Sequence, residues 1–234
     1  MGLPFLTAQW RNLILATWDV APAVLERRLA PGLALETRDG RAFVSLVAFD
    51  FLDTRVLGVP WPGYRNFPEI NLRFYVRRGR ERGVMFVREF VPQRMVAIIA
   101  RSLYNEPYSA APMQSRKRSR GDHFSLDHSI QVNGVAHRLR VVAEKTSIMA
   151  PENSDEHFFK EHQWGYGKSR SGKLIRYEVR HPHWRTHRVT RSRIDFDFAQ
   201  IYGDEFADLN TRAPFSLFVA QGSRIAVYPK SAPI

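Results

Sequence analysis

Cysteine is absent from all 234 residues, which removes disulfides, thiolate metal sites and cysteine nucleophiles together. Nor does any stretch approach the roughly 20 uninterrupted apolar residues of a membrane-spanning helix. The amino terminus, Met1-Gly-Leu-Pro-Phe-Leu-Thr7, lacks a basic n-region and a full apolar h-region, so no signal peptide is expected and a cytoplasmic protein is the simplest expectation. No internal repeat, low-complexity tract or Ser/Gly-rich linker divides the chain, and a single domain over residues 1–234 is expected. Long helices alternating with strands are also missing, which argues against a doubly wound parallel sheet.

Acidic side chains are in the minority, 23 against 35 lysines and arginines, for a net charge of +12. The excess is local. Residues 111–193 hold 17 basic and 8 acidic groups, with peaks at Arg116–Arg120 and across Arg185–Arg193. Such runs can hold phosphate backbones, and a nucleic-acid-associated or regulatory interaction protein is the alternative function they suggest. No recognised nucleic-acid-binding motif accompanies them, and no aromatic residue is interleaved in the first run, so nothing beyond non-specific nucleic-acid binding is expected. Charge bears on solubility and association rather than on fold.

What is present is strand pattern and turn chemistry. Apolar residues make up 44% of the chain and aromatics 12%, enough for a continuous core. Strands are expected over 10–20, 33–37, 41–52, 69–78, 84–90, 124–132, 135–145, 164–170, 173–180, 186–199, 215–220 and 224–228. Asp39-Gly40, Asn133-Gly134 and Ser171-Gly172 mark hairpin turns between neighbours. Short helices are expected over 21–29, 93–104, 154–163 and near 201–209, the second presenting Val96, Ile99 and Leu103 on one face. Pro107 and Pro112 break regular structure after it. The fold class is therefore mainly β (α+β), a single antiparallel barrel or strongly curved sheet with a few short peripheral helices.

Strand alternation places Glu69, Asn71 and Arg73 on one face of their strand and Ile70, Leu72 and Phe74 on the other. The polar face either meets solvent or, in a closed barrel, lines a cavity able to orient a polar ligand. The histidines of His181-Pro-His183, with His187 nearby, could invite a metal. The intervening proline and surrounding arginines argue against one, and no metal and no cofactor is expected. Gly165-Tyr-Gly167 matches no phosphate-binding loop, and no nucleophile-elbow sequence is present.

Several segments together resemble a known bacterial family. They are Trp10-Arg11, the Pro31 stop, Asp39-Gly40-Arg-Ala-Phe-Val44, Pro68-Glu69-Ile-Asn71-Leu-Arg73-Phe-Tyr75-Val, Phe158-Phe159, Trp164-Gly-Tyr-Gly and Tyr177-Glu-Val-Arg-His181-Pro182. The pattern resembles domain-of-unknown-function family 2071 over nearly the whole chain. The resemblance implies the acetoacetate decarboxylase-like superfamily, a cone-shaped antiparallel barrel with a central cavity. In the decarboxylases proper one of two adjacent lysines forms a Schiff base with a keto acid, its neighbour's charge freeing the amine. Matching Arg101, Leu103 and Pro107 to that motif puts Tyr108 and Ser109 at the lysine positions, and neither can form an imine.

The same matching places Arg11 at a substrate-facing arginine, Glu69 near a cavity glutamate and Ser45 at a second one. The expectation is a barrel binding a small acidic or carbonyl-bearing molecule, with turnover an open alternative but not by lysine Schiff-base decarboxylation. Glu69 and Tyr108 are the candidate catalytic groups, and Arg11, Asn71, Arg73 and Ser45 the candidate ligand contacts.

Overall fold

The computed structural model describes residues 2–231, and of Leu103 and Tyr104 the backbone alone. The elements in chain order are β1 (Leu6–Val20), α1 (Pro22–Glu26), β2 (Ala34–Leu35), β3 (Ala42–Val56), β4 (Phe67–Arg78), β5 (Glu81–Val91) and α2 (Arg94–Tyr104). There follow β6 (Tyr108–Ala110), β7 (Met113–Arg120), β8 (His123–Val132), β9 (Val135–Met149), α3 (Asp155–Lys160), β10 (Trp164–Lys168) and β11 (Leu174–Arg180). β12 (Arg185–Asp195), α4 (Phe198–Tyr202), a 3-10 turn over Asp204–Asn210, β13 (Ser216–Ala220) and β14 (Arg224–Val227) complete it.

Seven strands close on themselves in the order β1-β3-β4-β5-β10-β11-β14, with β14 returning to pair with β1 from Leu6↔Val227 to Gln9↔Arg224. Closure leaves these strands without a free edge. From β1 the sheet also continues through β13, β12, β9 and β8 to β7, forming a second curved layer outside the barrel. Strands β1, β3 and β4 are accordingly buried on both faces over much of their length. Ile14, Ala16, Val44, Leu46, Ile70, Leu72 and Phe74 pack outward, with Leu126, Leu139, Val141, Phe198 and Phe206 in the same core. Leu13, Leu15, Val47, Phe49, Phe67 and Val84 belong to the inner cluster.

Several expectations need correction. The Asp39-Gly40 turn forms, closed by an Arg38↔Arg41 bridge, but it does not make a hairpin of its flanking strands. β2 diverges to pair with β4 through Ala34↔Arg77 and Leu35↔Val76. The segment after Pro107 is not irregular, because β6 and β7 lie there and the Arg116–Arg120 run belongs to strand β7. Strand β12 stops at Asp195, and the helix expected near 201–209 is α4 followed by the 3-10 turn.

The sheet is also not wholly antiparallel. β10 and β6 run parallel to β5, at Trp164↔Gly83 and Glu89↔Tyr108. Both parallel strands are short, and both arrive through helices, α3 for β10 and α2 for β6. On α2, Val96 and Ile99 turn toward the barrel as their spacing predicts, while the Leu103 side chain lies outside the described residues.

Candidate active site in the barrel

The barrel encloses a cavity of about 570 Å³. Its walls are mainly aromatic and aliphatic, including Trp10, Phe49, Phe67 and Phe86, and Met95 and Ile99 of α2 reach its rim. The polar groups cluster. Glu69, Asn71 and Arg73 line the cavity from alternate positions of β4, and Tyr108 joins them from β6. The inward polar face is thus the one realised here.

Tyr108 donates from its phenol to Glu69 Oε2 at 2.8 Å, and Asn71 Nδ2 donates to Glu69 Oε1 at 2.9 Å. The parallel pairing of β6 with β5 carries the first contact, since it sets Tyr108 beside Glu89 and one strand from Glu69. Arg73 donates to the Phe159 carbonyl at 2.8 Å and lies over the Tyr75 ring.

Two further carboxyls that the sequence reading missed complete the group. Glu89 and Glu106 line the same cavity and are only 2% and 5% exposed, against 3% for Glu69. Glu89 was hidden by a bulge. Val84 and Phe86 face inward, so strict alternation would turn Arg88 in and Glu89 out. The register of β5 against β4 slips between Leu72↔Arg88 and Arg73↔Phe86, and the extra residue, Val87, reverses the parity. Glu106 sits in the short connection between α2 and β6, where no periodicity operates. Tyr177 of β11 hydrogen-bonds Glu106, and its ring lies across Gly165, its partner in β10. A Cβ at Gly165 would come within 2.1 Å of that ring, so only glycine permits the approach.

Burial controls the electrostatics. Desolvation pushes Glu69 up to about 7, against the opposing hydrogen bonds from Asn71 and Tyr108 and the nearby Arg73 charge. Desolvation likewise raises Glu106 to about 8, aided by the Glu69 charge and opposed by Tyr177. Glu89 is raised well above the usual carboxylate range by burial and by both neighbouring carboxylates. At neutral pH Glu89 and Glu106 are therefore held toward the protonated form and Glu69 stands near its midpoint, so the cluster carries less negative charge than its composition implies. Glu89 Oε2, Glu106 Oε1 and Asn71 Oδ1 are buried without a hydrogen-bond partner among the described residues. Buried polar atoms left in that state are uncommon and cost free energy.

A basic flank faces the cluster. Lys160, at the end of α3, lines the cavity with a fully buried side chain whose ammonium pairs with Glu161. His162 also lines it, and burial pulls its imidazole down to about 4 in spite of the Glu36 carboxylate 3.0 Å away. Neither residue was singled out from the sequence, where both fell within an expected helix whose inner face carried no mark.

The remaining expected contacts lie elsewhere. Arg11 is not in the barrel: Leu13 and Leu15 face inward, but the register of β1 slips between Arg11 and Ile14, and Asn12 adopts φ 58. That bulge turns Trp10 in and Arg11 out, so Arg11 is not placed to contact a ligand in the barrel. Ser45 is fully buried but bonded within the wall, to Thr17 Oγ1 at 2.6 Å and to the Tyr75 hydroxyl. The 181/183/187 histidines do not assemble into a cluster either. His183 instead meets His157 and Glu161, with one ligand atom from each within 4.8 Å of the others, and Lys160 already occupies the same carboxylate.

Comparison with known proteins agrees with this architecture. The uncharacterized protein YqjF of Bacillus subtilis (strain 168) is 32% identical over 117 residues, a match spanning 50% of this chain and 48% of that protein. Among solved structures, the enduracididine biosynthesis enzyme MppR complexed with pyruvate superposes with a TM-score of 0.69 at 14% identity, over 99% of this chain and 91% of that one. MppR complexed with the condensation product of pyruvate and imidazole 4-carboxaldehyde gives 0.68 at 15%, over 99% and 90%. An acetoacetate decarboxylase-like enzyme from Sphingomonas wittichii RW1 gives 0.67 at 13%, over 98% and 94%. At such identities the likeness establishes the acetoacetate decarboxylase-like fold alone. Residues 7–224 match the DUF2071 family, described as an uncharacterized conserved protein, and the chain belongs to that family.

Proposed function

We propose that the barrel binds a small carbonyl-bearing molecule with an apolar body, its carbonyl oxygen directed at Glu69 and Tyr108. The observation that carries this reading is the cluster of three buried carboxyls, raised by desolvation, in a cavity whose walls are mainly aromatic and aliphatic. A neutral carboxylic acid beside a phenol donates hydrogen bonds, and a carbonyl oxygen accepts them without bringing charge into a low-dielectric site. An acidic ligand fits as well if its carboxylate lies toward Arg73 and Lys160, away from the carboxyls. Asn71 holds Glu69 in place. That MppR has been captured with pyruvate is a property of that enzyme, and it supports a carbonyl compound as the first class to test here.

Turnover, where it occurs, is proton transfer next to the carbonyl rather than imine formation at residues 108 and 109. A carboxyl with a value near 7 is poised both to give a proton to the oxygen and, once ionised, to take one from the adjacent carbon. The test is exchange of ligand C–H protons α to the carbonyl in deuterium oxide, followed by NMR over a panel of methyl ketones and 2-oxo acids. Exchange above background that is lost in Glu69→Gln and reduced in Tyr108→Phe supports the reading. Equal exchange in wild type and Glu69→Gln, or none with any member of the panel, opposes the catalytic half of it.

A further inference from the structure

The displaced Arg11 belongs to a second cavity. On the far side of the β1 bulge, a cleft of about 320 Å³ lies between the barrel and the outer sheet layer. Arg11 of β1, Lys117 and Ser119 of β7, Lys145 of β9, His187 of β12 and Gln221 after β13 line it. No acidic side chain is among its lining residues, and none of the three cations makes an ion pair among the described residues. Lys117 and His187 come from the two basic runs that stand out in the sequence, about 70 residues apart, and the fold brings residues of both runs to the same hollow.

Arg11, Lys117 and His187 are held rather than loose. Arg11 is fixed by donating to the Gly222 carbonyl at 2.9 Å and to Gln9 Oε1 at 2.8 Å, leaving the rest of its guanidinium uncommitted. Lys117 donates to Asn12 Oδ1 at 3.1 Å and lies over the Phe124 ring. His187 donates from Nδ1 to the Glu144 carbonyl at 2.8 Å, which leaves Nε2 for the cleft. Asp50, beside Asn12, accepts from Asn12 Nδ2 at 2.9 Å, and Glu144, whose carbonyl holds His187, pairs with Arg188.

Two unusual backbone positions create this arrangement. Asn12 sits at positive φ in the bulge that redirects Arg11. Gly222 also has positive φ, and a Cβ there would lie 2.0 Å from the Trp10 carbonyl oxygen.

We propose that this cleft is a binding site for a phosphate-class oxyanion, free or carried as a phosphomonoester. Three cations and a hydroxyl converging without a carboxylate partner match a doubly negative tetrahedral group better than a single carboxylate. The cleft is roomier than an inorganic oxyanion alone requires, so a small carrying molecule fits beside the group. This site is separate from the barrel cavity and does not depend on what the barrel binds.

The test is isothermal titration of the whole chain at low ionic strength with inorganic phosphate and, separately, with phenyl phosphate. Lys117→Ala is compared with Arg118→Ala, the next residue on the opposite face of the same strand. Both variants remove one positive charge, and both parent side chains are exposed, so folding is not at issue. The expected result is saturable one-to-one binding that weakens about tenfold or more in Lys117→Ala and less than about twofold in Arg118→Ala. Tighter binding of phenyl phosphate assigns the site to a phosphomonoester, and equal binding assigns it to the free oxyanion. Equal weakening in the two variants reduces the effect to diffuse charge and overturns the proposal. So does the lack of saturable binding up to about 10 mM ligand, the weak limit at which such an interaction would matter.

Discussion

Replacing Glu106 by glutamine should flatten the alkaline decline of stability. Glu106 is buried, and desolvation raises it from an ordinary value of 4.5 to about 8. The native protein then keeps a proton that the unfolded chain has lost, so this contribution is complete below pH 4.5 and disappears as pH rises through about 8. Each such retained proton gives a slope of about −1.4 kcal/mol per pH unit. Over pH 7–8 Glu106 is roughly three-quarters protonated on average, which makes its share about 1 kcal/mol per pH unit. Glutamine is nearly isosteric and can still meet Tyr177, yet it does not titrate.

The pH window avoids the opposite effect of the buried histidines. Burial depresses His162 and His128, so their contribution is present above 6.5 and lost only as pH falls. Denaturant unfolding at several pH values from 7 to 9 reads the slope directly, and a melt should show it as roughly 2–4 °C per kcal/mol. Glu152→Gln, an exposed glutamate, serves as control. Glu106→Gln should give a visibly shallower slope, with the variant more stable than wild type at pH 8–9. Parallel slopes for wild type and both variants would refute the claim that buried, protonated carboxyls line the barrel.

Other predictions follow from the same contacts. Borohydride reduction with acetoacetate or a 2-oxo acid should leave no stoichiometric adduct, because Tyr108 and Ser109 cannot form an imine and Lys160 is tied to Glu161; an adduct mapped by mass spectrometry to Lys160 or Lys117 would reverse that reading. Arg73→Ala should cost on the order of 2 kcal/mol in stability or ligand affinity, through the lost bond to the Phe159 carbonyl and the charge beside Glu69, while Arg118→Ala should change stability by less than about 0.5 kcal/mol. Thermal melts of the two variants, with and without small carboxylic acids, make the comparison, and like behaviour would contradict it. Nucleic-acid binding should be weak and should fall by orders of magnitude between roughly 50 and 200 mM salt, as measured by fluorescence anisotropy. Sequence-selective binding at physiological salt would instead favour a regulatory protein.

Much of the fold was legible because turn chemistry and alternation are local. Asn133-Gly134 and Ser171-Gly172 sit in the hairpins they mark, and the period-two pattern put Glu69, Asn71 and Arg73 on one face, though it left open whether that face met solvent or a cavity. What escaped notice lies where an extra residue breaks the period. The bulge at Val87 turned Glu89 inward, and the bulge at Asn12 turned Arg11 out of the barrel, each against the parity of its own strand. A bulge depends on pairing with the neighbouring strand, and a single strand's residues do not encode it visibly. Glu106 in a connection and Lys160 at a helix end carry no period at all. Tyr177 was readable, since Tyr177, Val179 and His181 alternate into the cavity opposite a glycine-bearing strand. The Asp39-Gly40 turn marks a further limit, because a local bridge forms without the longer pairing it usually announces.

The central claim, that a carbonyl compound is held by Glu69 and Tyr108 inside the barrel, is tested most directly by a crystal structure of the protein grown with a methyl ketone or 2-oxo acid that binds in solution. The account predicts ligand density in the barrel cavity, with the carbonyl oxygen within about 3 Å of a Glu69 oxygen or the Tyr108 hydroxyl. A ligand bound outside the barrel, or one in the cavity with its carbonyl turned away from both groups, would contradict it.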